Sequence, residues 1–171
     1  MWNINFLELF DRCLQLHAAG GRDYLSFYSA SDLTFLESIG CQPREFYDFV
    51  EDLNNEQEPA ASTALLIASV RRDYFLTVQN GQPSSRITLH EDLPTFGDTF
   101  EGIAYLPRIL TKARGKLRGE LDPDIMFCCG GDRHFLAQHG NIHPADFLRV
   151  VWAAGDDDAK VASYVLSKRD A

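Results

Sequence analysis

The chain has 171 residues, 45% hydrophobic and 24% charged, which is the composition of an ordinary globular protein. Its net charge of −9 argues against general binding to nucleic acids or anionic membranes, because both require cations that neutralise phosphate groups. It has no apolar run near the ~20 residues of a membrane span, no signal-peptide pattern at its start and no disulfide framework among its four cysteines. We therefore expect a cytoplasmic protein that binds neither nucleic acid nor membrane.

Four helices are predicted in the first half of the chain. Their apolar residues recur at helical spacing, and Gly, Pro and hydroxyl residues that cap or end helices lie at their boundaries. The short second helix takes Ser31 or Asp32 as its N-cap, and Gly40 ends it. The predicted spans are residues 5–19, 31–40, 43–53 and 59–78.

The end of the fourth helix has an alternative interpretation. Residues 74–78 are rich in strand-forming side chains, Asn80-Gly81 is a strong hairpin signal, and residues 86–89 would form the returning strand. We favour the helix because its apolar pattern continues unbroken from Leu65. Residues 80–104 then form a structured connector that packs against the surface, since a featureless loop of that length is uncommon.

The second half of the chain repeats this scheme. Its predicted helices are residues 107–118, 132–140, 144–154 and 156–169. The halves match at an offset of 100 residues, and of 101 after one inserted residue. The matches fall on aromatic, Gly, Pro and capping positions, which set helix boundaries and core contacts. They include Arg12 with Lys112, Asp32 with Asp132, Gly40 with Gly140, Pro43 with Pro144, and Phe46 with Phe147.

This internal duplication predicts an all-α fold in which two similar helical halves pack about a pseudo-twofold axis. The first copy would span residues 1–79, the connector 80–104 and the second copy 105–171, together forming one compact domain. Residues 9–50 should superpose on residues 109–151. The side chains expected in the core are Phe35, Leu36, Phe46, Val50, Phe135, Leu136, Phe147 and Val151.

The helix at 107–118 concentrates positive charge. It holds five cations and no acid, namely Arg108, Lys112, Arg114, Lys116 and Arg118. Arg108 and Lys112 are i,i+4 neighbours and repel each other unless a negative group lies close. One interpretation is a solvated face paired with the protein's own acids, such as those of residues 45–52. The other is a site for a small anionic ligand or an anionic partner.

The densest chemical cluster is the segment Cys128-Cys129-Gly130-Gly131-Asp132-Arg133-His134. Two glycines before a helix can present backbone amides to an anion. A thiol at that positive helix end, beside Arg133, could act as a nucleophile. Asp132 could instead occupy the amides as an N-cap, in which case the segment is a structural turn.

Metal binding is not expected in this region. Adjacent cysteines make a poor zinc pair because their side chains diverge. His139 and His143 are four residues apart, but Gly140 and Pro144 break any helix that would align them.

A pattern in the second half resembles that of a known family. It consists of Leu106-Pro107-Arg108, then Lys112-Ala113-Arg114, then Cys128 or Cys129 shortly before Asp132 and Phe135-Leu136. The chain is similar here to a bacterial family of small helical proteins described as a domain of unknown function. The resemblance covers residues 104–166 and implies a small soluble bacterial protein without an assigned reaction. Where the family has Cys-Pro-Leu-Asp or Cys-Gly-Leu-Asp, this chain has two cysteines and two glycines before the aspartate.

We interpret the protein as a binding or interaction module for a small anionic ligand or a protein partner, without a cofactor. The predicted ligand-binding residues are Arg108, Lys112, Gly130, Gly131, Asp132 and Arg133. The alternative is a small enzyme with Cys128 or Cys129 as nucleophile, His134 as base and the two glycine amides as oxyanion donors. Distance separates the two hypotheses, because a catalytic thiol needs a histidine nitrogen within ~3–4 Å.

Overall fold

A computed structural model of the protein describes residues 1–169, and helices dominate them. The all-α fold class is therefore confirmed, apart from two short 3-10 helices and one two-stranded sheet. The α-helices are α1 (Trp2–Ala18), α2 (Ala30–Ser38), α3 (Pro43–Glu56), α4 (Ala61–Thr77), α5 (Leu106–Arg118), α6 (Gly130–Gln138), α7 (Pro144–Ala154) and α8 (Asp158–Arg169). The chain divides into two compact units, Met1–Pro83 and Ser84–Ala171.

In the first unit, α1 packs against α3 and α4. The contact is largely aromatic, because the apolar stripes of α1 and α3 both carry phenylalanine. The ring centroid of Phe46 lies 4.9 Å from that of Phe6 and 5.5 Å from that of Phe10, both in edge-to-face geometry. All three side chains are buried. Edge-to-face packing of this kind contributes beyond the apolar area that it buries.

The N-terminus of α2 differs from the prediction. Ser29 is the N-cap, not Ser31 or Asp32, and Asp32 lies one turn into the helix. The two residues form a capping box, in which the Ser29 hydroxyl accepts from the Asp32 amide at 3.3 Å and the Asp32 carboxylate accepts from the Ser29 amide at 2.7 Å. Arg12 of α1 also donates to this carboxylate, at 2.5 Å.

The fourth helix continues to Thr77, so the hairpin alternative at residues 74–89 is wrong. The Gly81 amide closes the helix end by donating to the Phe75 carbonyl at 2.9 Å. Thr88 instead forms an isolated parallel bridge with Leu121. Residues 74–78 are good strand formers, but packing of the buried side of α4, which includes Ile67, Val70 and Phe75, overrides that local preference.

A glycine in each unit allows the last helix to approach closely. Gly40 has φ of +66°, and a Cβ there would collide with the Phe75 side chain of α4. Gly140 has φ of +84°, and a Cβ there would collide with the backbone of Lys168 in α8. Both positions therefore need glycine for its backbone conformation and for its lack of a side chain.

In the second unit, α7 packs against α5 and α8. Most of the predicted connector belongs to this unit, since its residues from Ser84 onward lie there. It contains a 3-10 helix, His90–Asp92, and a hairpin of β1 (Thr99–Phe100) and β2 (Ile103–Ala104). Both turn residues of the hairpin have positive φ, 49° at Glu101 and 76° at Gly102, as a type I′ turn requires.

The predicted core is buried at seven of its eight positions. Leu36, Phe46, Val50, Phe135, Leu136, Phe147 and Val151 are each at most 3% exposed. Phe35 is the exception and is only half-buried. The short helix α2 has one buried residue, Leu36, so it cannot bury the adjacent Phe35 as well.

Asp48 gives the first unit a testable pH dependence. It is nearly buried in α3, where Arg44 donates to it at 2.9 Å. Burial outweighs that interaction and raises the pKa of the Asp48 carboxyl to about 6. Because the folded-state pKa exceeds the unfolded one, this group's contribution to stability is present below about pH 4 and is lost as pH rises through 6.

We therefore expect Asp48→Asn to gain stability relative to the wild type, by about 2 kcal/mol, when pH rises from 4 to 7. Urea unfolding of both proteins at the two pH values measures this difference, and other titrating groups cancel in it. A difference that does not change with pH would contradict the prediction.

Candidate functional site

A buried ion pair lies at the centre of the second unit. Lys112 of α5 and Asp132 of α6 have side chains that are 4% and 0% exposed, and Nζ lies 2.6 Å from Oδ2. Asp132 also accepts from the Tyr105 hydroxyl at 2.8 Å and from the Cys128 amide at 2.8 Å. One carboxylate thus receives three donors, which is the hydrogen bonding that a buried charge requires.

Local structure explains how these groups converge. Tyr105 precedes α5 with φ of 71°, and Cys128 precedes α6 with φ of 71°. Burial, reinforced by the charge of Asp132, raises the pKa of the Tyr105 phenol above its usual range, so that it remains a donor. Asp132 is not the N-cap of α6, because that position belongs to Cys129, whose side chain makes no capping bond. The carboxylate turns to Lys112 instead.

The two adjacent cysteines have different environments. Cys128 is fully buried, and burial raises the pKa of its thiol to about 12, which disfavours the nucleophilic thiolate at neutral pH. Cys129 is half-buried, and Lys112 Nζ donates to its Sγ at 3.1 Å. Of the two thiols, Cys129 is therefore the more accessible one.

His134 does not serve as the predicted base. It is exposed, and within residues 1–169 no hydrogen bond joins its ring to either thiol. Five positions separate it from Cys129, so the two side chains leave α6 in different directions. The enzyme hypothesis in its predicted form lacks the histidine that it needs.

The predicted anion pocket is not assembled from its predicted residues. Lys112 is neutralised by Asp132, Arg108 donates to the Pro94 carbonyl at 2.8 Å, and Arg133 donates to the Cys128 carbonyl at 2.8 Å. Gly130 and Gly131 already form the first turn of α6. These groups stabilise the fold of the second unit.

Two further arginines of α5, Arg114 and Arg118, form ion pairs with acids of their own unit. Arg114 pairs with Asp158. Arg118 lies 3.8 Å from Asp156 and 4.0 Å from Glu120. These pairs support the interpretation of α5 as a helix paired with the protein's own acids. The acids are not those of residues 45–52, which the sequence analysis named as an example.

A cleft of about 460 Å³ lies beside the ion pair. One wall is a row of rings, with centroid distances of 5.8 Å from Phe96 to Tyr105, 5.7 Å from Tyr105 to Phe135 and 4.3 Å from Phe135 to His139. Phe96 is 68% exposed, and the Arg108 guanidinium lies 4.3 Å above its ring. The cleft was not predicted, because two of these rings come from the connector and its boundary.

The polar groups of the cleft are basic or neutral. His134, Gln138, His139 and Arg169 line it, and the described lining contains no carboxylate. His139 Nδ1 lies 2.8 Å from the Phe135 carbonyl oxygen. Since that oxygen only accepts, Nδ1 carries the proton. In a chain of net charge −9, such a lining favours an anionic occupant.

The cleft and the ion pair share residues. Tyr105 and Gly131 line the cleft, and a Cβ on Gly131 would lie 3.0 Å from the Tyr105 hydroxyl and 3.9 Å from Cys129 Sγ. The contact is tight, so a side chain at position 131 would press on the tyrosine that orients Asp132. Gly131 is a positioning residue for both features.

Residues 1–169 contain neither a metal-binding cluster nor a membrane-spanning helix. No group of three or more His, Cys, Asp or Glu side chains is placed to hold a metal ion. No helix in this part of the chain is long and apolar enough to cross a membrane.

Comparisons with known proteins add no family. No protein-family model, curated protein or solved structure matches this chain.

Proposed function

We propose that the second unit is a binding module whose cleft takes a small ligand with a planar ring and an anionic group. This proposal rests on the row of rings formed by Phe96, Tyr105, Phe135 and His139. Within residues 1–169, the cleft beside this row has no carboxylate in its lining. Its volume of about 460 Å³ falls in the usual range of small-molecule sites.

The two parts of the ligand follow from two parts of the cleft. Aromatic side chains attract a flat ring through stacked or edge-to-face contacts. His134 and His139 supply hydrogen-bond donors that an anionic group needs. The anionic ligand expected from the sequence is thus retained, but its site moves from the basic face of α5 to the neighbouring cleft.

Three probes test this proposal, namely naphthalene-2-sulfonate, its neutral analogue 2-naphthalenemethanol, and inorganic sulfate. We expect the sulfonate to bind at least about tenfold more tightly than either of the others, which corresponds to about 1.4 kcal/mol. Titration followed by NMR chemical shifts measures this, with the largest shifts at cleft residues.

Matched variants locate the binding. Phe96→Ala and His139→Ala should each weaken sulfonate binding severalfold, because they remove an end of the ring row. His90→Ala is the control, since His90 is an exposed histidine of the same unit outside the cleft lining. Equal affinity for the neutral analogue would refute the anionic part, and equal effects of all three variants would refute the location.

The enzyme alternative now depends on Cys129 and Lys112 rather than on Cys128 and His134. Lys112 donates to both Cys129 and Asp132, and within residues 1–169 no histidine is hydrogen-bonded to either thiol, so binding remains the better supported function. A protein partner in place of a small ligand would also use this exposed edge, through Phe96.

We also propose that the two halves are copies of one ancestral unit. Helices α2 and α6 each have nine residues and begin 100 positions apart. In each half a cation of a preceding helix pairs with the aspartate of this short helix, through Arg12 with Asp32 and Lys112 with Asp132. Superposition of residues 9–50 on 109–151 in a crystal structure tests this, and a different packing order would refute it. We further propose that the protein is a cytoplasmic member of the bacterial family that residues 104–166 resemble.

A further inference from the structure

One close contact of the second unit has no part in the proposed binding function. Lys112 Nζ lies 3.1 Å from Cys129 Sγ, and the lysine is held there by its buried bond to Asp132 at 2.6 Å. The two residues come from different helices, yet an amine nitrogen and a thiol sulfur meet within hydrogen-bond distance. Cys129 is half-buried, so part of this residue is accessible from the solvent, where a hydroperoxide would approach.

We propose that Lys112 and Cys129 form an oxidative modification site, at which a hydroperoxide joins the two side chains through a sulfur–nitrogen bond. The proposal does not depend on the ligand of the cleft. Its basis is the short distance between Lys112 Nζ and Cys129 Sγ, together with the buried hydrogen bond of Lys112 to Asp132.

The first step oxidises the sulfur. The Cys129 thiolate attacks one peroxide oxygen, the O–O bond breaks, and the departing hydroxide takes a proton from the Lys112 ammonium to leave as water. The products are a sulfenic acid at Cys129 and a neutral amine at Lys112, and the peroxide has been reduced by two electrons.

The second step forms the link. The amine nitrogen attacks the sulfenic sulfur, the S–O bond breaks, and the departing hydroxide takes a proton from that nitrogen. A second water leaves, and the side chains are joined as a sulfenamide. Thiolate, ammonium and hydrogen peroxide thus give one S–N bond and two waters, with no net charge gained or lost.

Two features favour the first step at Cys129. Lys112 Nζ donates a hydrogen bond to Sγ at 3.1 Å, and this sulfur belongs to the half-buried N-cap residue of α6. The other cysteines of the chain are buried. In Cys13, burial raises the pKa of the thiol to about 11.

Geometry also favours the amine over the neighbouring thiol in the second step. Consecutive Cα atoms lie ~3.8 Å apart, whereas disulfides usually need more than about 4.4 Å. A bond between Cys128 and Cys129 would therefore strain the backbone. Lys112 Nζ needs only a short approach to the same sulfur.

Peptide mapping by mass spectrometry after hydrogen peroxide treatment tests the proposal. We expect the peptide that contains Cys129 to be joined to the one that contains Lys112, with a mass lower by two hydrogens than their sum. Trypsin should no longer cleave after Lys112, and dithiothreitol should restore cleavage. The exposed Met1 reports that oxidant was sufficient.

Variants separate this link from other products. Lys112→Arg keeps a cation for Asp132 but offers a poor nucleophile, so the link should vanish and dimedone should trap sulfenic acid at Cys129. Cys128→Ser is the matched control and should keep the link. Cys129→Ser, which leaves the ion pair intact, should lose the link and restore cleavage even if the arginine variant does not fold.

Three results would overturn the proposal. One is a disulfide between Cys128 and Cys129 with normal cleavage after Lys112. Another is an unmodified Cys129 when Met1 is fully oxidised. The third is equal formation of the link in protein unfolded by guanidinium, because the folded contact would then play no part.

Discussion

Replacing Lys112 by methionine should lower the free energy of unfolding by about 3–5 kcal/mol, because the substitution leaves an uncompensated buried carboxylate. Asp132 is 0% exposed and would keep only two neutral donors, Tyr105 and the Cys128 amide. Guanidinium denaturation measures the change. The loss is a large fraction of the ~5–15 kcal/mol that stabilises a typical domain.

The first unit supplies a matched control. Arg12→Met breaks the pair of Arg12 with Asp32, but Arg12 is 49% exposed, so the expected cost is about 0–1 kcal/mol. The double variant Lys112→Met with Asp132→Asn should lose clearly less than Lys112→Met alone, since no charge remains buried. A cost below about 1 kcal/mol for Lys112→Met would show that water reaches Asp132.

Truncation of Phe46 to alanine is the second large effect, with an expected loss of about 3–5 kcal/mol. Phe46 is fully buried and contacts the rings of Phe6, Phe10 and Tyr28. Its removal leaves a cavity among aromatic side chains that cannot collapse without moving α1 against α3. The same denaturation experiment measures the effect.

Two comparisons check this interpretation. Phe147→Ala should cost a similar amount in the second unit, where Phe147 is also fully buried. Leu25→Ala should change stability by no more than about 0.5 kcal/mol, because Leu25 is 57% exposed. A small effect of Phe46→Ala would mean that neighbouring rings refill the space.

The helices were predictable because their apolar spacing and end residues are local signals. Helix α7 has the predicted bounds, Pro144 to Ala154, since proline opens it and Gly155 ends it. The predicted N-cap of α2 was wrong because Ser29, Ser31 and Asp32 are all good capping residues, and local sequence alone does not decide among them. The capping box that Ser29 forms with Asp32 makes Ser29 the N-cap.

The site was predictable in its parts but not in its pairing. Residues 128–134 are chemically dense, as expected, and both Lys112 and Asp132 were among the predicted ligand-binding residues. Their bond to each other depends on how α5 meets α6, which no spacing rule specifies. The cleft depends on the hairpin β1–β2, whose turn at Glu101-Gly102 lay in a segment interpreted as a connector.

The two ion pairs place different constraints on how this sequence can change over generations. At the first pair, a change of Arg12 alone costs little because its side chain is 49% exposed, whereas Asp32 also forms the capping box of α2 with Ser29. At the buried pair, a change of Lys112 or Asp132 alone passes through a strongly destabilised protein. Positions 112 and 132 should therefore vary together across related sequences or not vary at all, while position 12 varies without a matching change at position 32.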